Sequence, residues 1–251
     1  MQINREGEKY VTNEGYPIEI VEYISSKDCS IKFENNYRIN NIYFCQVKRG
    51  NIKNPYHLSI HGVGFIGVGR HIVSKNKVHS KSYRTWRRIY DKCYSEKYHK
   101  DHPTYKNCTI GTEWHNFQVF GDWFEENWKP WMDSSWHLDK DLLVKGNKMY
   151  SSETCCIVPQ EINNIFVKHT VNCEGTPVNI RISKSRKKYE ARIRKEGIAT
   201  HLKTCETLEE AFKVHKVAKE IRIKEIADKW KGLIAEKAYN AMYNWEVEIT
   251  D

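Results

Sequence analysis

Two aspartates flanking a lysine carry the first hint of chemistry in this chain. In "WHLDKDLLVKGNKMYSSETCCIVPQEIN", Trp136 to Asn163, Asp139 and Asp141 bracket Lys140. His137 stands two residues before the first aspartate, and Asn163 closes the stretch. Alternation along a strand puts His137, Asp139 and Asp141 on one face. Carboxylate oxygens are hard donors that suit Mg²⁺ or Mn²⁺. A divalent metal beside a proton acceptor is the equipment for hydrolysing a phosphodiester. A lysine of ordinary pKa, about 10.4, stays charged at neutral pH and can neutralise phosphate. It becomes a base only when strongly desolvated. The competing reading is structural: the aspartates pair with Lys140, Lys145 or an arginine.

These residues need elements to hold them. "WHLDKD" reads as a strand, "VKGNK" as a turn and "TCCIVP" as a second strand. "PQEINNIF" then starts a helix with proline at an early position. Upstream, Tyr83, Trp86, Tyr90 and Cys93 or Tyr94 recur at helical spacing in residues 80–98, with Ser80 or Ser82 as cap. Trp114, Phe117, Phe120 or Gly121, and Phe124 do the same in residues 113–128. Both stripes read as core. Residues 1–60 alternate over short runs such as "YPIEIVEYIS" and "CSIKFENNYRI", which predicts a small antiparallel unit with a hairpin tip at the asparagines. The glycine-rich "HGVGFIGVGR" lacks the Lys-Ser/Thr ending of a phosphate loop, so a bent strand or close backbone packing is expected.

The chain has 251 residues with Lys+Arg 41 against Asp+Glu 32, a net charge of +9. That excess favours a polyanionic partner. It is concentrated: residues 178–203 hold nine Lys/Arg and only Glu190 and Glu196. In "YEARIRK", Tyr189, Ala191 and Ile193 face one way while Glu190, Arg192 and Arg194 face the other. Arg181, Arg192 and Arg194 are candidate readers of base edges. Lys184, Arg186, Lys187 and Lys188 form an expected turn suited to phosphates. Thr207 and Glu210 make a capping box for a helix whose stripe of Ala211, Phe212, His215 and Ala218 covers the back of the sheet. His215 reads as a packed histidine, and the helical pattern runs on to about Trp245. No apolar run reaches the roughly 18 residues of a membrane span. The N-terminus lacks a signal-peptide core, which predicts a cytoplasmic protein. Eight cysteines without a Cys-x-x-Cys pair read as buried free thiols, so structural zinc is not expected.

Two stretches resemble known families. Trp86, Lys92 and Cys93, then Tyr105, Glu113-Trp114 and Phe117, follow the order of an HNH-like endonuclease family common in phage genomes. The order continues through Leu138-Asp139-Lys140-Asp141, Gly146-Asn147, Tyr150-Ser151, Glu153, Cys155 and Asn163, and covers about a third of the chain. The resemblance implies a ββα region with Asp139 and Asn163 as ligands of Mg²⁺ or Mn²⁺. The base position falls on Lys140, a departure from histidine, with His137 as substitute base and Asp141 on the same face. Residues 176–223 resemble an AP2-type DNA-binding module, a three-stranded sheet backed by one helix. Tyr189 to Ile193 and Thr207 to Ala211 carry that match, while Leu202-Lys203-Thr204-Cys205 replaces the usual Leu-Gly-aromatic step.

The expected chain is α+β. A β-rich domain (1–72) precedes an HNH-like domain with flanking helices (78–168) and an AP2-like domain with a helical extension (175–251). The expected function is a phage-type HNH-like endonuclease, homing included, acting on double-stranded DNA in the host cytoplasm. The alternative is a non-catalytic DNA-binding protein, a regulator or host-interference factor, on a degenerate HNH scaffold.

Overall fold

A computed structural model describes residues 4–166, 176–177, 179–183, 188–195 and 197–249. The chain is α+β, and its packing divides it into two units, residues 1–96 with 112–121 and residues 97–111 with 122–251. The stretch 78–168 contributes to both.

In the first unit, β1 (Lys9–Val11), β2 (Pro17–Ser25), β3 (Asp28–Phe33) and β4 (Arg38–Ile42) form one antiparallel sheet in sequence order. Alternation buries Ile18, Ile20, Ile31 and Phe33 on one face. Asn36 takes φ 63° at the tip between β3 and β4, a conformation asparagine tolerates. Helix α1 (Phe44–Lys48) adds Val47 to that core. A two-stranded hairpin, β5 (Ser74–Lys75) and β6 (Val78–His79), leads into α2 (Lys81–Tyr94). Ser80 caps α2 by accepting from the Tyr83 amide at 3.2 Å. Its buried stripe is Trp86, Ile89, Tyr90 and Cys93. Trp86 Nε1 donates to the Trp114 carbonyl at 2.7 Å. The glycine-rich segment is turns with two isolated bridges, Ile60 to Gly64 and Phe65 to Asn116, and no strand. A Cβ on Gly64 would lie 2.7 Å from the Tyr90 ring, so only glycine permits that approach.

After α3 (Glu96–Asp101), the second unit contains β7 (Thr109–Ile110) and the later part of α4 (Phe117–Asn127). Then follow β8 (Trp136–Asp139), β9 (Met149–Tyr150), β10 (Cys156–Pro159) and α5 (Gln160–Ile165). β8 and β10 pair antiparallel, with Asp139 opposite Cys156 and Trp136 opposite Pro159. Pro159 is the N-cap of α5, which packs on both strands. The expected strand–turn–strand–helix is therefore present. One addition is unexpected: β9, inside the connection, pairs parallel with β7. Two-residue strands carry no period to read.

β11 (Ile180–Ser183), β12 (Lys188–Lys195) and β13 (Ile198–Cys205) form the C-terminal antiparallel sheet in that order. Helix α6 (Leu208–Lys229) packs on all three strands. Ile180, Ala191, Cys205 and Ala211 are the buried centre, with Leu202, Leu208 and Phe212 against it. Thr207 Oγ1 accepts from the Glu210 amide at 3.2 Å, but Glu210 Oε2 accepts from the Glu206 amide instead of the cap residue's own. His215 is buried, and its Nδ1 donates to the Arg192 carbonyl at 2.9 Å. The helix does not run on to Trp245. It stops at Trp230, Gly232 takes φ 77°, and α7 (Glu236–Tyr243) starts afresh. Glu161 of α5 accepts from Lys229 Nζ at 2.6 Å and Trp230 Nε1 at 2.9 Å, and the Trp230 ring meets Trp136 edge-on at 5.5 Å. These contacts tie the ββα unit to the end of α6. Among the described residues, no helix is long and apolar enough to cross a membrane.

Candidate functional site

The turn after β8 consumes the charges that the sequence offers for catalysis. Asp139 Oδ1 accepts from the amides of Asp141 at 2.8 Å and Leu142 at 2.7 Å. A short carboxylate two residues before an orphan amide does this readily. Leu142 follows and is buried. Lys140 points inward and is 6% exposed. Its ammonium donates to both oxygens of Asp141 at 2.7 Å and to the Asn147 carbonyl at 2.9 Å. It also lies over the rings of Tyr105 and Tyr150, at 5.8 and 5.9 Å. Asn147 returns the contact, donating to the carbonyls of Lys140 and Met149. The Gly-Asn motif thus closes a stitched loop around a buried lysine.

The electrostatics follow from this enclosure. Burial raises the Asp139 carboxyl above its ordinary range, and the two backbone donors only partly offset it. Asp139 is half-buried by surface, yet it sits close enough to Cys155, Cys156 and Tyr105 to raise each of them. Burial first, then that neighbour, brings the Cys155 thiol up to about 12. Tyr105 reaches about 12, by burial first and then by Tyr98 and the carboxylates.

Two of the expected site residues are paired with each other. Lys140 is not placed as a general base, because all three of its protons are committed to acceptors. Asp141, expected on the catalytic face, directs both carboxylate oxygens at the Lys140 ammonium at 2.7 Å. The remaining donors are Asp139 Oδ2, which has no protein partner among the described residues, and the Asn163 side chain on α5, which has none either. His137 precedes Asp139 on the same strand face and is half-buried with a partner of its own. Among the described residues, Asp139 belongs to no cluster of three His, Cys, Asp or Glu ligand atoms within 4.8 Å of one another. One carboxylate oxygen and one amide are a thin set for Mg²⁺ or Mn²⁺, which take about six oxygens. The donor set does not fit the expected ion well.

The outer face of the C-terminal sheet presents the opposite situation. Arg181 on β11 lies opposite Glu190 on β12, which lies opposite Thr204 on β13. The next row is Arg192 with His201, and the next Arg194 with Ala199. Partners directly opposite share a face, so these residues form one outer surface. A register shift after Ala191 turns Leu202 toward the core and leaves this face intact. Among the described residues, the side chains of Arg181, Glu190, Arg192 and Arg194 make no hydrogen bond or ion pair. The flanks differ: Lys188 pairs with Glu206, and Lys195 reaches Glu225 at 3.8 Å. Lys184, Arg186 and Lys187 lie outside the described residues.

Tyr105, Asn147 and Tyr150, which hold Lys140, and Glu190 were not legible as site residues. Tyr105, Asn147 and Tyr150 stand in the order that carries the family resemblance, but nothing in the sequence joins them to Lys140. Comparison with family models, curated proteins and solved structures gives no match for this chain.

Proposed function

We propose that this chain binds double-stranded DNA through the outer face of β11–β13, and that its ββα unit is a scaffold that does not cut. The observation that carries the reading is the contrast in partnering. Three arginines on one sheet face are left without protein acceptors, whereas the acids near Asp139 are spent on the turn. A sheet of this size can enter a major groove about 12 Å wide, where arginine bonds guanine O6 and N7 bidentately. A net charge of +9 adds sequence-independent attraction to phosphate.

A hydrolase reading of the same chain has one favouring observation. Asp139 Oδ2 has no protein partner among the described residues while Oδ1 is fixed by two amides. One experiment separates the two. Purified protein is mixed with linear duplex and with supercoiled plasmid, in Mg²⁺ or Mn²⁺ and in chelator. The expected result is a gel shift that weakens steeply with salt and a plasmid that stays supercoiled. Metal-dependent nicking that Asp139→Ala abolishes would establish the hydrolase reading. Absence of any shift at low salt would end the DNA assignment.

A further inference from the structure

An acid at the centre of a cationic face calls for an explanation. Glu190 sits on the middle strand, opposite Arg181 on one side and Thr204 on the other. It is two residues from Arg192 on the same face. It is half-buried, and it forms no ion pair or hydrogen bond among the described residues, despite the arginine opposite. An acid here repels phosphate, so it weakens any grip that depends on charge alone. It also adds little to the fold, because the core lies on the other side of β12, at Ala191 and Ile193.

We infer that Glu190 reads cytosine in the bound duplex, accepting a hydrogen bond from the exocyclic N4 amine. The inference rests on the proposed DNA-binding function and adds a base preference to it. In the major groove, cytosine presents a donor where guanine presents acceptors, and a carboxylate complements only the former. Arg181, in register beside it, complements guanine O6 and N7. An acid and an arginine side by side therefore match neighbouring positions of opposite polarity in a G·C-containing site. A face meant only for phosphates would place a lysine or arginine at the central position.

The test is selection of bound sites from a randomised duplex library, with wild type, Glu190→Gln and Glu190→Ala. Wild type is expected to enrich cytosine at one fixed position. In both variants that position loses its preference by about 5- to 150-fold, while neighbouring positions keep theirs. Far-ultraviolet circular dichroism and melting of the variants should match wild type. If the variants bind every sequence more tightly by one common factor, the acid acts only through its charge, and the cytosine assignment is overturned. It is equally overturned if wild type selects sites with no fixed cytosine. Failure of wild type to bind any duplex removes the DNA reading itself, and so is distinct from both.

Discussion

The turn at Asp139 and the outer face of β11–β13 are both rich in charge, yet they spend it in opposite ways. Around Lys140, each ionic group has a near partner: Asp141, the Asn147 carbonyl, two tyrosine rings and the amides after Asp139. On the sheet, arginines and a glutamate stand without protein partners among the described residues. Burying a charge is costly unless it is paired, so the first pattern is what a fold needs for itself. On the sheet, Arg181 and Arg194 are exposed, while Glu190 and Arg192 are half-buried and Arg192 Nε is buried without an acceptor, so this face carries charge that the described fold does not pair. Residue type alone points first to the turn at Asp139, whereas partnering points first to the sheet face.

Four outcomes would break or sharpen this comparison. The largest effect is expected on the sheet. Replacing Arg192 and Arg194 together by alanine should weaken duplex binding about a thousandfold, taking about 2 kcal/mol for each. Fluorescence anisotropy at several salt concentrations checks it, and the salt slope should flatten. Next comes Lys140→Ala, which strips the turn of its central donor. A loss of about 2–3 kcal/mol in urea unfolding is expected, with DNA affinity retained. A stable variant with lost affinity would turn the comparison around.

Third, Asp139→Ala should cost about 1–2 kcal/mol, because two amides lose their acceptor. Asp139→Asn should cost less, since an amide oxygen can accept both bonds and avoids burying a charge. The smallest effect concerns His215. Its pKa is lowered chiefly by burial, so the folded state resists protonation. The contribution is whole above the ordinary value of 6.5 and falls as pH drops through that value toward the lowered one. Melting scans between pH 7.5 and pH 5 should show wild type losing more stability than His215→Gln. Parallel curves would mean that the histidine titrates freely.

Much of the architecture was readable from period and punctuation. The alternation around Ile18–Ile20 and Ile31–Phe33, the cap at Ser80 and the histidine under the sheet all appear where pattern places them. What was not readable depends on residues far apart in the chain. Lys140 looks like a surface cation or a misplaced base because its local spacing matches its neighbours, while the rings that enclose it stand at 105 and 150. The β7–β9 pairing is too short to leave a period. The break at Gly232 is a glycine among good helix formers, where one residue at positive φ overrides the apolar spacing on either side.

The carboxyl at position 139 has a consequence for behaviour in acid. A protonated aspartic acid still has a carbonyl oxygen, so the amides of Asp141 and Leu142 keep their acceptor when the charge is lost. Because enclosure raises this group, the folded chain takes up its proton more readily than the unfolded chain does. Mild acidification therefore strengthens this corner of the molecule while it weakens the seat of His215.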